Sequence, residues 1–372
     1  MINVDLNENN IRTMKTIFST RKKKIIATIA ASVAGVSLFT VSSAVIAYDV
    51  AFPRYERPDY SVYPGEYCYD RVSHRLQRSE FYFNAGDTRL KGYFYPSEQS
   101  KGLVITVHGF HAGADDYIPI IEYMVKGGYD VFTYDSTGTY DSEGNSNVGL
   151  CQALVDLDKV LDYLKTSPYA NKPKFLIGHS WGGYAAASVL ALQKDSLIRS
   201  CALIAPMNSG YNMIYEKAEQ YVGKVALAQK PILDLYQNML FEDYTKYDGV
   251  IGINSTDIPV LIAQGLTDNV ITYDGQSITA HKSEITNPNV VYYDGHGTQG
   301  DHNNIWHSSE SANYQAKIKN ELASIKKQKQ EQGVELTHDE LADFYKNVDH
   351  ALYSQVNKDL MDKILTMFDS TL

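Results

Sequence analysis

Short apolar runs recur along the chain from about residue 71 onward, separated by stretches with a helical pattern. Six of these runs consist almost entirely of apolar residues, which is typical of parallel strands that are buried on both faces of a sheet. They cover residues 103–107, 130–134, 175–177, 201–205, 260–263 and 290–293. Two earlier runs, 80–83 and 90–95, flank a turn sequence of Ala, Gly and Asp and predict a β-hairpin.

The stretches between the runs predict helices that pack on the sheet. The clearest of them places five leucines between residues 150 and 164 on one face and ends before Pro168. Strands that alternate with helices predict an α/β fold. The sequence therefore predicts a mostly parallel eight-stranded sheet with helices on both faces and an antiparallel hairpin at its start.

One segment between two predicted strands, about 207–254, is much longer than a connecting loop. It is rich in Tyr, Met and Leu and largely helical in pattern, and insertions of this kind often form a lid over a binding site. Its apolar side chains either line an acyl pocket or form the buried faces of the lid helices, which is the more common role. After the last strand, the pattern predicts a charged helix over 309–332, a capping box at Thr337–Glu340 and a final amphipathic helix to about Phe368.

The first 70 residues differ in character from the main domain, residues 71–372. Residues 25–47 form an uncharged run of 23 residues, which as a helix would extend about 35 Å and cross the ~30 Å hydrocarbon core of a bilayer. The tail before it, residues 1–24, ends in a basic cluster and is expected to stay cytoplasmic, which leaves the main domain outside. Residues 48–70 predict a linker whose tyrosines either pack along the domain or lie at the membrane interface.

A cleaved signal peptide is the alternative interpretation of residues 25–47. The small residues around Ala47 suit a signal peptidase, but the apolar core of a signal peptide usually spans only about 7–15 residues. The greater length favours a single-pass membrane anchor with an extracytoplasmic main domain over secretion after cleavage.

Charge is unevenly distributed along the chain, and this distribution argues against one class of binding partner. The 372 residues carry a net charge of −10, of which residues 1–24 contribute +4 and residues 25–47 nothing, so the remainder carries −14. A domain this acidic repels phosphate backbones, which argues against a nucleic-acid partner. The three cysteines of the chain are too few for a disulfide framework.

Chemistry-bearing residues follow the predicted strands at their carboxyl ends. The segment Gly178–Gly182, which reads GHSWG, stands between the strand 175–177 and a helix of small residues, 184–192. Gly-x-Ser-x-Gly between a strand and a helix is typical of a nucleophile elbow. The helix N-terminus behind the serine also supplies N–H groups and a partial positive charge for an anion. Ser180 is therefore the candidate nucleophile.

A serine nucleophile needs a base, and the base needs a carboxylate that orients it. Asp268 follows the strand 260–263 in a turn and is the candidate acid, because that position lies at the same edge of the sheet as Ser180. His302 follows the last strand in a Gly-rich loop and is the candidate base, with His296 in the same loop as the alternative. The spacing of the histidines matches no metal-binding pattern, so a metal site is the minor interpretation.

An acyl-transfer site also needs N–H donors for an oxyanion. The loop after the strand 103–107 contains Gly109 and Phe110, and the N–H of Phe110 is one candidate donor. The N–H of Trp181, directly after the nucleophile, is the other. His108 in the same loop is expected to have a structural role.

Together these motifs resemble those of the α/β-hydrolase superfamily. The resemblance rests on His108-Gly109-Phe110, on Tyr134-Asp135 with Gly138, Ser142 and Gly144, on Gly178–Gly183, and on Gly265 with Asp268. Within the superfamily, residues 71–372 look like the lysophospholipase and serine-aminopeptidase-like group with an N-terminal membrane anchor.

The resemblance implies a role for each candidate residue. Ser180, Asp268 and His302 take the places of a catalytic triad, and Phe110 and Trp181 those of the oxyanion donors. The sequence around His302, DHNNI, looks like the histidine loop of that group and supports this residue as the base. One departure is a Gln-Gly pair shortly before the acid, where His-Gly is common, and it is expected to affect packing more than chemistry.

The expected reaction is acyl transfer to water through an acyl-enzyme, with an ester as the expected substrate and an amide or short peptide as the alternative on the same triad. A catalytically silent binding module is a third hypothesis, which the presence of all three triad residue types disfavours. No cofactor is expected. The expected partners are a small acyl substrate and, through the N-terminal segment, a membrane.

Overall fold

The apolar runs form the central sheet of the molecule. The computed structural model describes residues 42–194 and 197–372, and its strands lie in the order β1-β2-β4-β3-β5-β6-β7-β8. They are β1 (Ser79–Ala85), β2 (Thr88–Tyr95), β3 (Leu103–Val107), β4 (Asp130–Tyr134), β5 (Lys174–His179), β6 (Ile198–Ile204), β7 (Val260–Gly265) and β8 (Val290–Gly295). β2 is antiparallel to both of its neighbours, and the pairs from β4 to β8 are parallel. The predicted eight-stranded, mostly parallel sheet is confirmed.

Helices connect the strands and cover both faces of the sheet. In the described chain they are α1 (residues 42–51), α2 (Tyr69–Val72), α3 (Ile118–Lys126), α4 (Gln152–Thr166), α5 (Trp181–Ser188), α6 (Gly210–Val222), α7 (Lys230–Phe241), α8 (Gly249–Asn254), α9 (Ser309–Glu331), α10 (His338–Lys346), α11 (His350–Tyr353) and α12 (Lys358–Asp369). The inserted segment 207–254 contains α6, α7 and α8, as its pattern predicts.

Two apolar cores lie on opposite faces of the sheet because successive residues of a strand point to opposite sides. Ile105 of β3 packs in one core, which also contains the buried stripe of α4 and the small residues of α5. Its neighbour Val104 packs in the other core, with α3 and α12. Every residue of β3, β4, β5 and β7 is buried, so the central strands form the middle layer between the two cores.

The C-terminal region differs from the prediction of a charged helix followed by one amphipathic helix. α9 and the capping box at Thr337 are present as predicted, but three separate helices, α10, α11 and α12, replace the single final helix. The side chains of Asp349 and Asn357 accept the N–H groups of Leu352 and Leu360 and so begin new helices. These side-chain hydrogen bonds compete with helix continuation, which is why the chain breaks there.

The expected linker, residues 48–70, packs along the domain. Tyr55 forms an isolated β-bridge with Thr139, and the guanidinium of Arg57 pairs with the buried carboxylate of Asp115 at 2.6 Å. Of the two alternatives for the tyrosines of this segment, packing along the domain is the one found. We call residues 48–57 the N-terminal strap.

The basic tail 1–24 and residues 25–41 of the predicted anchor lie outside the described residues. The last six residues of the anchor run, 42–47, belong to α1. Within residues 42–194 and 197–372, none of the helices combines the length and the apolar character that a bilayer crossing requires.

Candidate active site

Ser180 stands at a sharp turn between β5 and α5. Its backbone has φ 55° and ψ −112°, a conformation that costs a non-glycine residue free energy and is characteristic of functional sites. The N–H of Ser180 donates to the carbonyl of Ile204 at 2.8 Å, which ties the turn to the neighbouring strand β6. The turn therefore holds the serine at the carboxyl edge of the sheet.

The two glycines of the motif allow this turn because other backbone groups lie against them. A Cβ atom at Gly178 would lie 2.2 Å from the carbonyl oxygen of Gly182, and one at Gly182 would lie 2.2 Å from the carbonyl oxygen of Val107. No side chain fits at either distance. Both glycines are thus required by close backbone approach, which explains the Gly-x-Ser-x-Gly spacing.

The structure brings Ser180, His302 and Asp268 together although they are far apart in the sequence. His302 Nε2 lies 2.9 Å from Ser180 Oγ, and His302 Nδ1 lies 2.6 Å from Asp268 Oδ2. The three residues are 8%, 5% and 5% exposed, so the hydrogen bonds lie in a nearly closed site. The alternative base, His296, is exposed and makes no hydrogen bond with Ser180 or Asp268 among those of the described chain.

Asp268 is held as an acceptor by the turn after β7. Its Oδ1 accepts the N–H groups of Val270 and Ile271 at 2.8 and 2.9 Å, and its Oδ2 accepts the side-chain amide of Gln264 at 2.9 Å. Gln264 is fully buried and was expected to affect packing more than chemistry. It contacts the candidate acid directly, so it helps to orient the carboxylate that faces His302.

Part of the chain also matches a known protein family. Residues 98–257, which are fewer than half of the chain, match the family described as serine aminopeptidase, S33. The match includes the elbow, and it agrees with the strand order and with the position of the serine at the carboxyl edge of the sheet. The chain has the α/β-hydrolase fold.

Other proteins are similar to parts of this chain. It is 24% identical to protein phosphatase methylesterase 1 of Candida albicans over 125 residues, which are 34% of each chain. It is 32% identical to monoglyceride lipase of Mus musculus over 120 residues, which are 31% of this chain and 38% of the lipase. The chain thus spans little more than a third of either relative. A solved esterase of Pyrococcus furiosus is 20% identical, covers 64% of this chain and 87% of its own, and superposes with a TM-score of 0.49.

The two candidate oxyanion donors lie on neighbouring segments of the α/β-hydrolase fold. Phe110 is in the loop after β3 and Trp181 is the first residue of α5, and their rings contact at 5.5 Å in an edge-on arrangement. The first N–H groups of a helix have no partner within the helix, which leaves the N–H of Trp181 available to a ligand. The indole N–H of Trp181 donates to the carbonyl of Leu150 at 2.6 Å and fixes the side chain.

The N-terminal strap supports the loop that carries Phe110. The ring of Phe52 contacts that of Phe110 at 5.6 Å, and Tyr55 stacks on His111 at 5.3 Å. His111 has φ 56°, an unfavourable conformation for a residue with a side chain. The strap therefore forms part of the wall of the candidate site, although its sequence was interpreted as a linker.

Two buried histidines have structural roles in the site. Burial lowers the pKa of His108 to about 4, and the neutral ring donates from Nδ1 to the carbonyl of Gly109 at 2.8 Å while Nε2 accepts the N–H of Ser136 at 2.9 Å. Burial, and then the nearby charge of His302, keeps the pKa of His179 well below its usual range. These histidines are thus neutral, and the structural role expected for His108 agrees with its contacts.

A hydrogen-bonded chain connects the oxyanion loop with the histidine loop. Tyr117 Oη accepts the N–H of Gly109 at 2.9 Å and lies 2.7 Å from His179 Nδ1. The other nitrogen, His179 Nε2, lies 3.3 Å from the carbonyl oxygen of His302, which can only accept. The neutral ring therefore accepts the Tyr117 hydroxyl at Nδ1 and donates from Nε2. Sequence reasoning missed Tyr117, because only the folded chain brings it to the elbow.

A buried carboxylate behind the oxyanion loop holds the loop in position. Asp135, directly after β4, accepts the N–H of Ala114 at 2.9 Å and the hydroxyl of Tyr93 at 2.8 Å. Burial raises the pKa of Asp135 to about 7, and the guanidinium of Arg57 lies 3.6 Å from it. The strap thus contributes a cation to this network as well as rings to the site.

Within residues 42–194 and 197–372, His, Cys, Asp and Glu side chains nowhere form a group of three that could hold an ion. His307, the third histidine of the loop, is buried against Tyr67, whose hydroxyl lies 3.0 Å from its Nε2.

Proposed function

We propose that this protein is a serine hydrolase that cleaves an acyl ester through Ser180, His302 and Asp268. One observation carries the proposal: His302 lies within hydrogen-bonding distance of both the Ser180 hydroxyl and the Asp268 carboxylate. A serine hydroxyl is a weak nucleophile until a base accepts its proton, and a carboxylate on the other ring nitrogen sets the tautomer that allows this.

In the proposed reaction, Ser180 Oγ attacks the carbonyl carbon of the ester while His302 Nε2 accepts its proton. The carbonyl oxygen becomes an oxyanion that receives the N–H groups of Phe110 and Trp181. His302 then donates the proton to the departing alcohol, which leaves an acyl group on Ser180. A water molecule, deprotonated by the same nitrogen, attacks this acyl group and releases the acid and free serine. Asp268 stabilises the imidazolium in both steps.

An ester is favoured over an amide by the names of the two curated relatives, a methylesterase and a lipase. The second candidate, a peptidase on the same three residues, is favoured by the description of the matched family as a serine aminopeptidase. The esterase and peptidase reactions differ in the leaving group. An amine must be protonated before it departs, whereas an alkoxide or phenolate is a better leaving group.

The rates of hydrolysis of an ester and of an anilide test the choice between an esterase and a peptidase. We expect kcat/KM for p-nitrophenyl butyrate to exceed that for butyryl p-nitroanilide by at least about 10²-fold, since the anilide leaving group depends on general-acid protonation, worth about 10²–10⁴-fold, whereas p-nitrophenolate departs without it. The measurement is initial rates with the full-length protein and with Ser180→Ala as the blank. Faster turnover of the anilide would replace the esterase proposal with a peptidase.

We also propose that residues 25–47 anchor the protein in the cell membrane as a single span, with the main domain on the extracytoplasmic side. The packing of α1 supports an anchor over a cleaved signal: Ala44 and Tyr48 are each 4% exposed in the core, so cleavage after Ala47 would cut α1 between two buried residues. We expect mass spectrometry of the membrane-bound protein to find the N-terminus before residue 25. A mature start near Tyr48 would contradict the anchor.

A further inference from the structure

The most exposed large apolar side chains of the described chain are concentrated on two helices. Val50 is 73% exposed and Ile46 is 61% exposed on α1, and Met239 is 71% exposed and Leu235 is 65% exposed on α7. Every other large apolar side chain whose exposure the structure describes is less exposed than these four. Each pair is spaced four residues apart and so lies on one face of its helix.

α1 and α7 pack against each other. The ring of Tyr48 contacts that of Tyr236 at 5.3 Å, and the hydroxyl of Tyr236 donates to Asp49 Oδ1 at 2.7 Å. Tyr48 of α1 and Gln237 of α7 are buried toward the domain. The exposed pairs lie two residues from these buried positions, on the opposite sides of the helices.

The two outward faces therefore belong to helices that touch, and each lies opposite a residue that is buried toward the domain. We call the four side chains Ile46, Val50, Leu235 and Met239 the outer apolar surface. Adjoining exposed apolar side chains mark interaction sites, whereas scattered ones are ordinary. Because these four apolar side chains lie on two touching helices, we expect another molecule to cover them.

We propose that the outer apolar surface lies on the lipid bilayer, so that the catalytic face of the domain is turned toward the membrane. The sequence that precedes this surface indicates what covers it. Residues 25–47 carry no charge, and residues 42–47 of this run belong to α1, so Ile46 belongs both to the proposed anchor and to the surface. A chain that leaves the bilayer at this point brings α1 and α7 to the lipid interface.

This orientation has a consequence for substrate entry, which rests on the proposed function. Tyr48 of α1 contacts Phe52 at 4.9 Å, and Phe52 contacts the oxyanion-loop residue Phe110 at 5.6 Å. Tyr48, on the buried face of the helix that carries this surface, is thus two ring contacts from Phe110. We therefore expect a substrate to approach Ser180 from the side of the domain that faces the lipid.

The test uses the full-length protein in vesicles of phosphatidylcholine and phosphatidylglycerol in equal parts, with or without bromine atoms on the acyl chains. Tryptophan is introduced by Val50→Trp or Met239→Trp, and the emission added to that of the wild type is measured. Val291→Trp is the matched control, because Val291 is 57% exposed near the start of β8, at the edge of the sheet opposite the candidate site. Hydrolysis of water-soluble p-nitrophenyl butyrate by each variant reports the proposed function separately.

We expect the brominated lipids to quench most of the added emission of Val50→Trp and Met239→Trp and little of that of Val291→Trp. Equal quenching at all three positions, or none at the first two, would overturn the proposal. A blue-shifted emission of Met239→Trp without quenching by lipid would also overturn it, since a second copy of the chain would then cover the surface. If ester hydrolysis is absent while the quenching pattern holds, the proposed function fails and the orientation stands.

Discussion

Replacement of His302 by alanine is expected to lower kcat for ester hydrolysis by about 10⁵–10⁶-fold, the loss found when the base of a serine triad is removed. The reason is geometric: among the described residues, His302 alone joins Ser180 Oγ to Asp268, at 2.9 and 2.6 Å. Without its imidazole, the serine keeps its proton and the leaving group receives none. The measurement is kcat with a saturating soluble ester.

The matched control is His296→Ala, six residues earlier in the same loop. His296 is exposed and does not hydrogen-bond the serine or the acid, so its removal should leave kcat unchanged. A large loss in His296→Ala together with an active His302→Ala would reverse the assignment of the base. Large losses in both variants would point to a loop that neither variant allows to fold.

Ser180→Ala is expected to lower kcat by about 10⁶-fold, because it removes the atom that forms the acyl-enzyme. Alanine retains the Cβ atom, so the backbone conformation at φ 55° is as accessible as it is to serine. Ser188→Ala is the control on the same helix, since Ser188 is buried and its hydroxyl has no hydrogen-bond partner among the described residues. Turnover that persists in Ser180→Ala, with wild-type folding by circular dichroism, would mean that another residue is the nucleophile.

The centre of the sheet could be predicted from the sequence because its strands are buried on both faces. β3 and β4 have the bounds of their apolar runs, since every residue from Leu103 to Val107 and from Asp130 to Tyr134 is buried. β5 extends beyond its run to His179, which pairs with Ile204 of β6. Small and polar residues at the end of a strand give no apolar signal, so only the pairing reveals them.

The site could be predicted in part. Motifs singled out Ser180 and Asp268, but a Gly-rich loop with several histidines left the base open between His302 and His296 on local pattern alone. The resemblance of the DHNNI segment favoured His302, and the folded loop places the ring of His302 between Ser180 and Asp268. Tyr117 gave no local signal, and Gln264 stood out only as a departure expected to affect packing, because the contacts of both residues with the site depend on the tertiary arrangement.

The N-terminal strap shows why irregular segments are harder to predict. Its aromatic residues Tyr48, Phe52 and Tyr55 are spaced four and three residues apart, as on one face of a helix, but the helix ends at residue 51 and Pro53 follows, so the pattern does not indicate how the rest of the strap packs. In the structure, Phe52 and Tyr55 pack against the oxyanion loop and Arg57 pairs with Asp115. What holds the strap is the set of complementary groups on the domain, and these come together only when the sheet has formed.

The central claim is that Ser180 is an activated nucleophile, and labelling with a fluorophosphonate probe tests it most directly. The probe forms a covalent bond only with a serine whose proton a neighbouring base accepts, so it needs no knowledge of the substrate. We predict that the full-length wild-type protein is labelled and that Ser180→Ala is not, while Ser188→Ala is labelled like the wild type. A folded wild-type protein that resists the probe, or a Ser180→Ala variant that still reacts, would contradict the account.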